Sequence, residues 1–156
     1  RLGRNMVLWD GVCMVHDAMK AETVIKLKIE NPDAAVIAHP ECNGALLQVA
    51  DFVGSTKAML NLIEKSNYKK FIVATETGIL YEMKKNNPEK EFITVTAKEG
   101  CNCADCSYMK QNTLEKLYNC LLDETPEIVM DAAIIERAKL PIIKMLDLSK
   151  KLGIIK

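Results

Sequence analysis

The chain has 156 residues, and 49% of them are apolar, enough to close a hydrophobic core and to exclude a disordered polymer. Twenty-one Lys and Arg balance twenty-one Asp and Glu, so there is no net field of the kind that grips nucleic acid or an anionic membrane; a small molecule or another protein is the expected partner. The longest apolar runs fall far short of the roughly 20 residues that cross a bilayer, and the opening residues show no charged-then-apolar export leader.

Short β-rich runs alternate with helical patterns. Asn5–Asp10 reads as a strand, followed through Gly11 by a helix over about Asp17–Glu30 with Ala18, Ala21, Ile25 and Ile29 on one face. Asn31-Pro32-Asp33 stops it, because proline lacks an N–H and restricts the residue before it. Ala34–Ala38 is the next strand and runs into His39-Pro40-Glu41-Cys42. Asp51–Val53 is a short third strand ended by Gly54, after which Ser55-Thr56 caps a helix to about Glu64. Lys70–Thr75 and Glu91–Thr96 are two further strands, separated by a helix from Gly78 to Lys85 that Asn86-Asn87-Pro88 ends. From Met109 to Asp123 the pattern is helical, with Leu114, Leu117, Tyr118, Leu121 and Leu122 spaced as one buried stripe. Pro141 is expected to divide a helix ending near Lys139 from another reaching Leu152.

Strand alternating with helix predicts an α/β fold, a three-layer αβα domain with a short parallel sheet; strands apolar throughout fit burial on both faces. Ligand sites in such sheets lie at the carboxyl ends of the strands. Cys13 and His16 follow the first predicted strand, His39 and Glu41 the second, Ser55 and Thr56 the third, and Thr75 and Glu76 the fourth; a cysteine cluster follows the last.

That cluster is Cys101-Asn102-Cys103-Ala104-Asp105-Cys106. Thiolates so close can share a metal or an iron-sulfur cluster, or two can pair as a disulfide; the C-x-C-x-x-C spacing is not a zinc-ribbon pair. Six cysteines in a chain able to fold on its core point to a reducing compartment rather than to a disulfide scaffold. Cys13 alone fits either a small buried hydrophobe or a ligand, whereas Cys42 and Cys120 read as structural, with Cys120 near the packed side of its helix. His39 and Glu41 sit two residues apart across a stiffening proline. They fit a substrate-carboxylate and proton-transfer pair as well as a locally satisfied histidine beside a solvated glutamate. Gly54-Ser55-Thr56 offers hydroxyls and free N–H groups at a helix start, as an anion site or an ordinary cap would.

Taken in order, GVCMVH, VIAHPEC, DFVGST, ATETGILYEMKKNNP and CSYMKQNTLEKL resemble the C-terminal half of quinolinate synthases, from about Asn5 to Pro141. The resemblance implies a cytoplasmic enzyme of NAD biosynthesis that condenses iminoaspartate with dihydroxyacetone phosphate, losing phosphate and two waters. It also implies a pseudo-threefold set of α/β domains holding a [4Fe-4S] cluster by one cysteine from each, with one iron open to substrate. By motif, Cys13 and Cys106 correspond to two cluster ligands, His39 and Glu41 to the catalytic HPE pair in the substrate pocket, and Ser55 and Thr56 to a substrate-carboxylate site.

The resemblance divides the chain into the end of one α/β domain (1–16), a complete α/β domain (17–106) and a helical segment (107–156). The third cluster cysteine is expected from the missing N-terminal half of the enzyme, a required partner, so the chain alone is expected to be inactive. Some family members carry C-x-x-C-x-x-C where this chain has Gly100 and C-x-C-x-x-C, leaving Cys101 and Cys103 as a candidate redox pair; the family loop CPVH reads CMVH here. The alternative is a non-catalytic module in which Cys101, Cys103 and Cys106, with Cys13 or His16, hold structural zinc.

Overall fold

The computed structural model describes residue 7 and residues 10–96 and 104–155, and they fall into two units, Arg1–Gln111 and Asn112–Lys156. The strand expected at Asn5–Asp10 lies, apart from Val7 and Asp10, outside the described residues.

The first unit is built on a parallel sheet of β1 (Ala35–Ala38), β2 (Phe52–Val53), β3 (Lys70–Ala74) and β4 (Glu91–Thr94), in the order β2-β1-β3-β4. Ala35 to Ala38 run opposite Phe71 to Ala74, and Lys70 opposite Glu91. All of β1 and most of β3 are buried, as a sheet covered on both faces requires. On one face Val36, Ala38, Ile72 and Ala74 pack with Met19, Val24 and Leu46; on the other Ala35, Ile37, Phe71 and Val73 pack with Met59, Ile63 and Met83. Three αβα layers result, with α2 (Ala21–Glu30) and α3 (Gly44–Gln48) on the first face and α4 (Thr56–Lys65) and α5 (Leu80–Asn86) on the second.

The helix expected over Asp17–Glu30 is two helices, α1 (Met14–Ala18) and α2, broken where Met19 turns to extended backbone and enters the core. The break rephases α2, so Ala21 and Val24 face the core while Ile25 and Ile29 face solvent, which corrects the face read from the sequence. The five-residue α3 escaped the sequence reading, being too short for periodicity; the Asn43 side chain caps it by accepting from the Leu46 N–H at 3.0 Å. Gly54 leaves room after β2 for the Phe52 ring, which a Cβ there would meet at 2.7 Å.

The second unit holds α6 (Leu114–Asp123), capped by the Thr113 hydroxyl, and α7 (Ala132–Lys151), capped by the Asp131 carboxylate. Pro141 lies inside α7 and does not divide it: proline forfeits one hydrogen bond to the preceding turn, and the helical ladder continues on either side. The α6 stripe of Leu114, Leu117, Tyr118, Leu121 and Leu122 is exposed rather than buried, and Cys120 is exposed with it. Helical spacing gathers apolar side chains on one side without supplying a surface to cover them. No helix among the described residues is long and apolar enough to cross a membrane.

Candidate functional site

Because the strands are parallel, the segments that leave their carboxyl ends meet at one edge of the sheet. His39 follows β1, Thr56 opens α4 after β2, and Thr75 and Glu76 follow β3. The chain leaves β1 toward β2 on one side and β3 toward β4 on the other, so the ends of β1 and β3 flank a topological switch point, the crevice where open α/β sheets bind ligands.

α1 places His16 over this crevice, only 7% exposed. Its Nδ1 lies 3.0 Å from Glu41 Oε2 and its Nε2 lies 3.0 Å from Thr75 Oγ1, and its ring stacks on that of His39 at 4.4 Å between centroids and 12° between planes. The Glu41 N–H donates to His39 Nδ1 at 3.3 Å, which places the His39 proton on Nε2. Burial lowers the His39 pKa below its usual 6.5 and the neighbouring His16 lowers it further, against a smaller opposing pull from Glu41. His39 is therefore a neutral imidazole at neutral pH. Cys42, buried behind it, donates its S–H to the Ala74 carbonyl at 3.5 Å, and burial pushes its pKa up to about 11; it is the inert structural thiol the sequence suggested.

The loop carrying Cys106 is tied to the end of β3. The Thr77 N–H donates to the Ala104 carbonyl at 3.2 Å and the Thr77 hydroxyl donates to the Asp105 carboxylate. Glu76 accepts from the Gly78 N–H at 2.7 Å with one oxygen; with the other it accepts from the Cys106 N–H at 3.4 Å and pairs with Lys110 at 3.5 Å. A Cβ on Gly78 would meet that carboxylate at 2.7 Å, so glycine leaves Glu76 room to reach back.

These segments enclose a cavity of about 610 Å³ whose walls include Cys13, His16, His39, Glu41, Thr56, Thr75 and Cys106. The structure thus gathers five of the sequence-predicted site residues, Cys13, His39, Glu41, Thr56 and Cys106. Ser55 does not line the cavity; its hydroxyl accepts from the Ala58 N–H at 3.3 Å as the cap of α4. Cys101 and Cys103 lie outside the described residues. In the sequence His16 carries little weight, and Thr75 and Glu76 stand out only by position after a strand. Cys13 and Cys106 are both free, half-buried thiols on one cavity, a donor set that fits two thiolate ligands of an iron-sulfur cluster.

Residues 1–147 match the family model described as quinolinate synthetase A protein. The chain is 50% identical to a quinolinate synthase of Microcystis aeruginosa over 147 residues, which cover 94% of this chain and 46% of that protein. It is 50% identical to one of Chlorobaculum tepidum over 96% of this chain and 46% of the relative, and 47% identical to one of Synechocystis over 94% and 46%. The chain spans less than half the length of these relatives.

Proposed function

Since the chain belongs to the quinolinate synthase family, we propose that its cavity is one side of an active site that condenses iminoaspartate with dihydroxyacetone phosphate to quinolinate in NAD biosynthesis, in the cytoplasm. The observation that carries this reading is the convergence of His39, Glu41 and Thr56 with Cys13 and Cys106 on one 610 Å³ cavity at the switch point of the sheet. Cys13 and Cys106 would hold a [4Fe-4S] cluster together with a third cysteine from the part of the relatives that this chain does not cover. When bound, a cluster with one iron free of cysteine supplies a Lewis acid that polarises a hydroxyl or carbonyl oxygen and eases loss of water.

The remaining work falls to protein groups. His39, neutral and with Nδ1 occupied by the Glu41 amide, donates from Nε2 to a substrate carboxylate. Glu41 carries protons to and from the reacting substrate, and the hydrogen bond from His16 orients its carboxylate. Thr56 on the cavity wall holds a second carboxylate at the start of α4, where the unpaired N–H groups of a helix favour an anion, and Ser55 beside it, outside the wall, assists with the proton its capping hydroxyl still has to give. Cys101 and Cys103, two residues apart, are proposed as a redox pair beside the Cys106 ligand.

Anaerobic reconstitution of this chain with iron and sulfide, together with the N-terminal portion of a relative, tests the reading. Broad visible absorption that needs Cys13 and Cys106 and survives Cys101→Ser with Cys103→Ser is expected, with quinolinate formed only when both portions are present. Glu41→Gln is expected to cut turnover at least about 100-fold, the scale of one general acid-base group. A stoichiometric zinc protein without visible absorption, its metal lost on changing any of the three clustered cysteines, would reject the reading.

A further inference from the structure

The cavity contains a second grouping of donor atoms, which shares only Cys13 with the proposed cluster ligands. The Cys13 sulfur, a His16 ring nitrogen and a Glu41 carboxylate oxygen all lie within 4.8 Å of one another, and Cys106 is not part of that group. We propose that Cys13, His16 and Glu41 form a three-ligand site for a single divalent transition-metal ion of the zinc class, and that this ion competes with any cluster for Cys13.

The chemistry of the three donors agrees with such an ion. Thiolate, imidazole and carboxylate are the side chains that zinc accepts, and one thiolate with one carboxylate neutralises a dication. Ligands at zinc bond lengths stand roughly 3.3–3.8 Å apart around a tetrahedron. The donors therefore need close by only about 1 Å, and Glu41, whose side chain is 57% exposed, is free to make that adjustment. The fourth position opens on the cavity that the same residues line, as in catalytic rather than structural zinc sites.

A second observation points the same way. His16 is buried, and its Nε2 is held by the Thr75 hydroxyl at 3.0 Å while Nδ1 is turned toward Glu41. Metal-binding histidines are characteristically fixed through their second nitrogen in this manner. The Thr75 hydroxyl serves both states. Without metal it donates to Nε2 while the Nδ1 proton goes to Glu41; with metal the ring proton sits on Nε2 and is donated to the Thr75 oxygen, which frees the Nδ1 lone pair. Protons balance: the S–H bond of Cys13 gives way to a sulfur–metal bond with its proton released to solvent, the imidazole keeps one proton, and the carboxylate stays ionised. No electron is transferred.

Cobalt(II) added to the reduced, iron-free chain carrying Cys101→Ser and Cys103→Ser provides the test, because sulfur-to-cobalt charge-transfer and four-coordinate ligand-field bands report ligand and geometry directly. One equivalent is expected to bind and to be displaced by zinc. Cys13→Ser is expected to abolish the charge-transfer band, and His16→Gln and Glu41→Gln to weaken binding at least tenfold. Thr75→Val should weaken it severalfold, while Cys106→Ser leaves the spectrum in place. Glu41, on the surface, decides the matter if the buried His16 variant fails to fold. Bands that survive Cys13→Ser, bands that vanish with Cys106→Ser, unchanged affinity in Glu41→Gln, or no stoichiometric binding would each overturn the site. Prior zinc is expected to suppress cluster uptake at least tenfold, and full uptake with zinc retained would overturn the competition. Cobalt binding in a chain that never assembles a cluster would reject the cluster reading and leave this ion site standing.

Discussion

In the unit spanning residues 1–111, the apolar side chains at helical spacing on α4 end inside the protein: Met59 and Ile63 are fully buried beneath the sheet. In the unit spanning 112–156, α6 carries the same three-and-four spacing, yet Leu114 is 82% exposed and Leu121 74%. The difference is the sheet. A parallel sheet offers two continuous apolar faces, and helices dock on both; α6 and α7 have none in their own unit. Each Leu or Ile left in water forgoes about 1.5–3 kcal/mol of burial, so the first unit is expected to carry the stability of the chain and the second to depend on local helix energetics.

The largest expected effect lies at the centre of the sheet. Phe71 is fully buried and stacks on Phe92 with centroids 5.8 Å apart, so Phe71→Ala is expected to lower the unfolding free energy of the first unit by about 3–5 kcal/mol in urea melts. Leu121→Ala, at an exposed site, should change it by less than about 0.5 kcal/mol. A comparable loss in both variants would break the contrast between the units. Pro141→Ala comes next: restoring an N–H inside α7 is expected to stabilise that helix by up to about 3 kcal/mol, seen as added helical circular dichroism and slower amide exchange around residue 141, with no change in the first unit.

Cap removal compares the units at equal chemistry. Ser55→Ala and Thr113→Ala each delete a hydroxyl that accepts a helix N–H, at a cost of about 1 kcal/mol. The Ser55 loss should appear in the cooperative melt of the sheet unit, whereas the Thr113 loss should appear as fraying of α6 in hydrogen exchange. The smallest effect is in pH. Folding lowers the His39 pKa, so just below pH 6.5 the unfolded chain binds more protons than the folded one. Stability is accordingly expected to be fully present above that pH and to decline as pH falls toward the lowered folded value, a slope that His39→Gln should flatten.

Much of this architecture is legible from residue types. Asn31-Pro32-Asp33 and Asn86-Asn87-Pro88 mark helix ends because proline cannot continue a helix, and the apolar runs at 34–38 and 70–75 mark buried strands because a doubly covered sheet has no polar face. Ser55 reads as a cap and is one. Less legible were the break at Met19, the rephasing of α2 and the unbroken passage of α7 through Pro141, since each depends on how a side chain or a lost hydrogen bond is compensated nearby.

The amino-acid sequence by itself determined the alternation of strand and helix, the caps, and the family to which the motifs belong, because these rest on local backbone preference and on residues close together in the chain. Only the tertiary structure decided that His16, Glu41 and Thr75 form one network, that Cys13 and Cys106 open on one cavity, and that the stripe of α6 stays in solvent. Contacts across 25 and 59 residues, and the presence or absence of a surface to pack against, depend on strand order and layering, which no local spacing encodes.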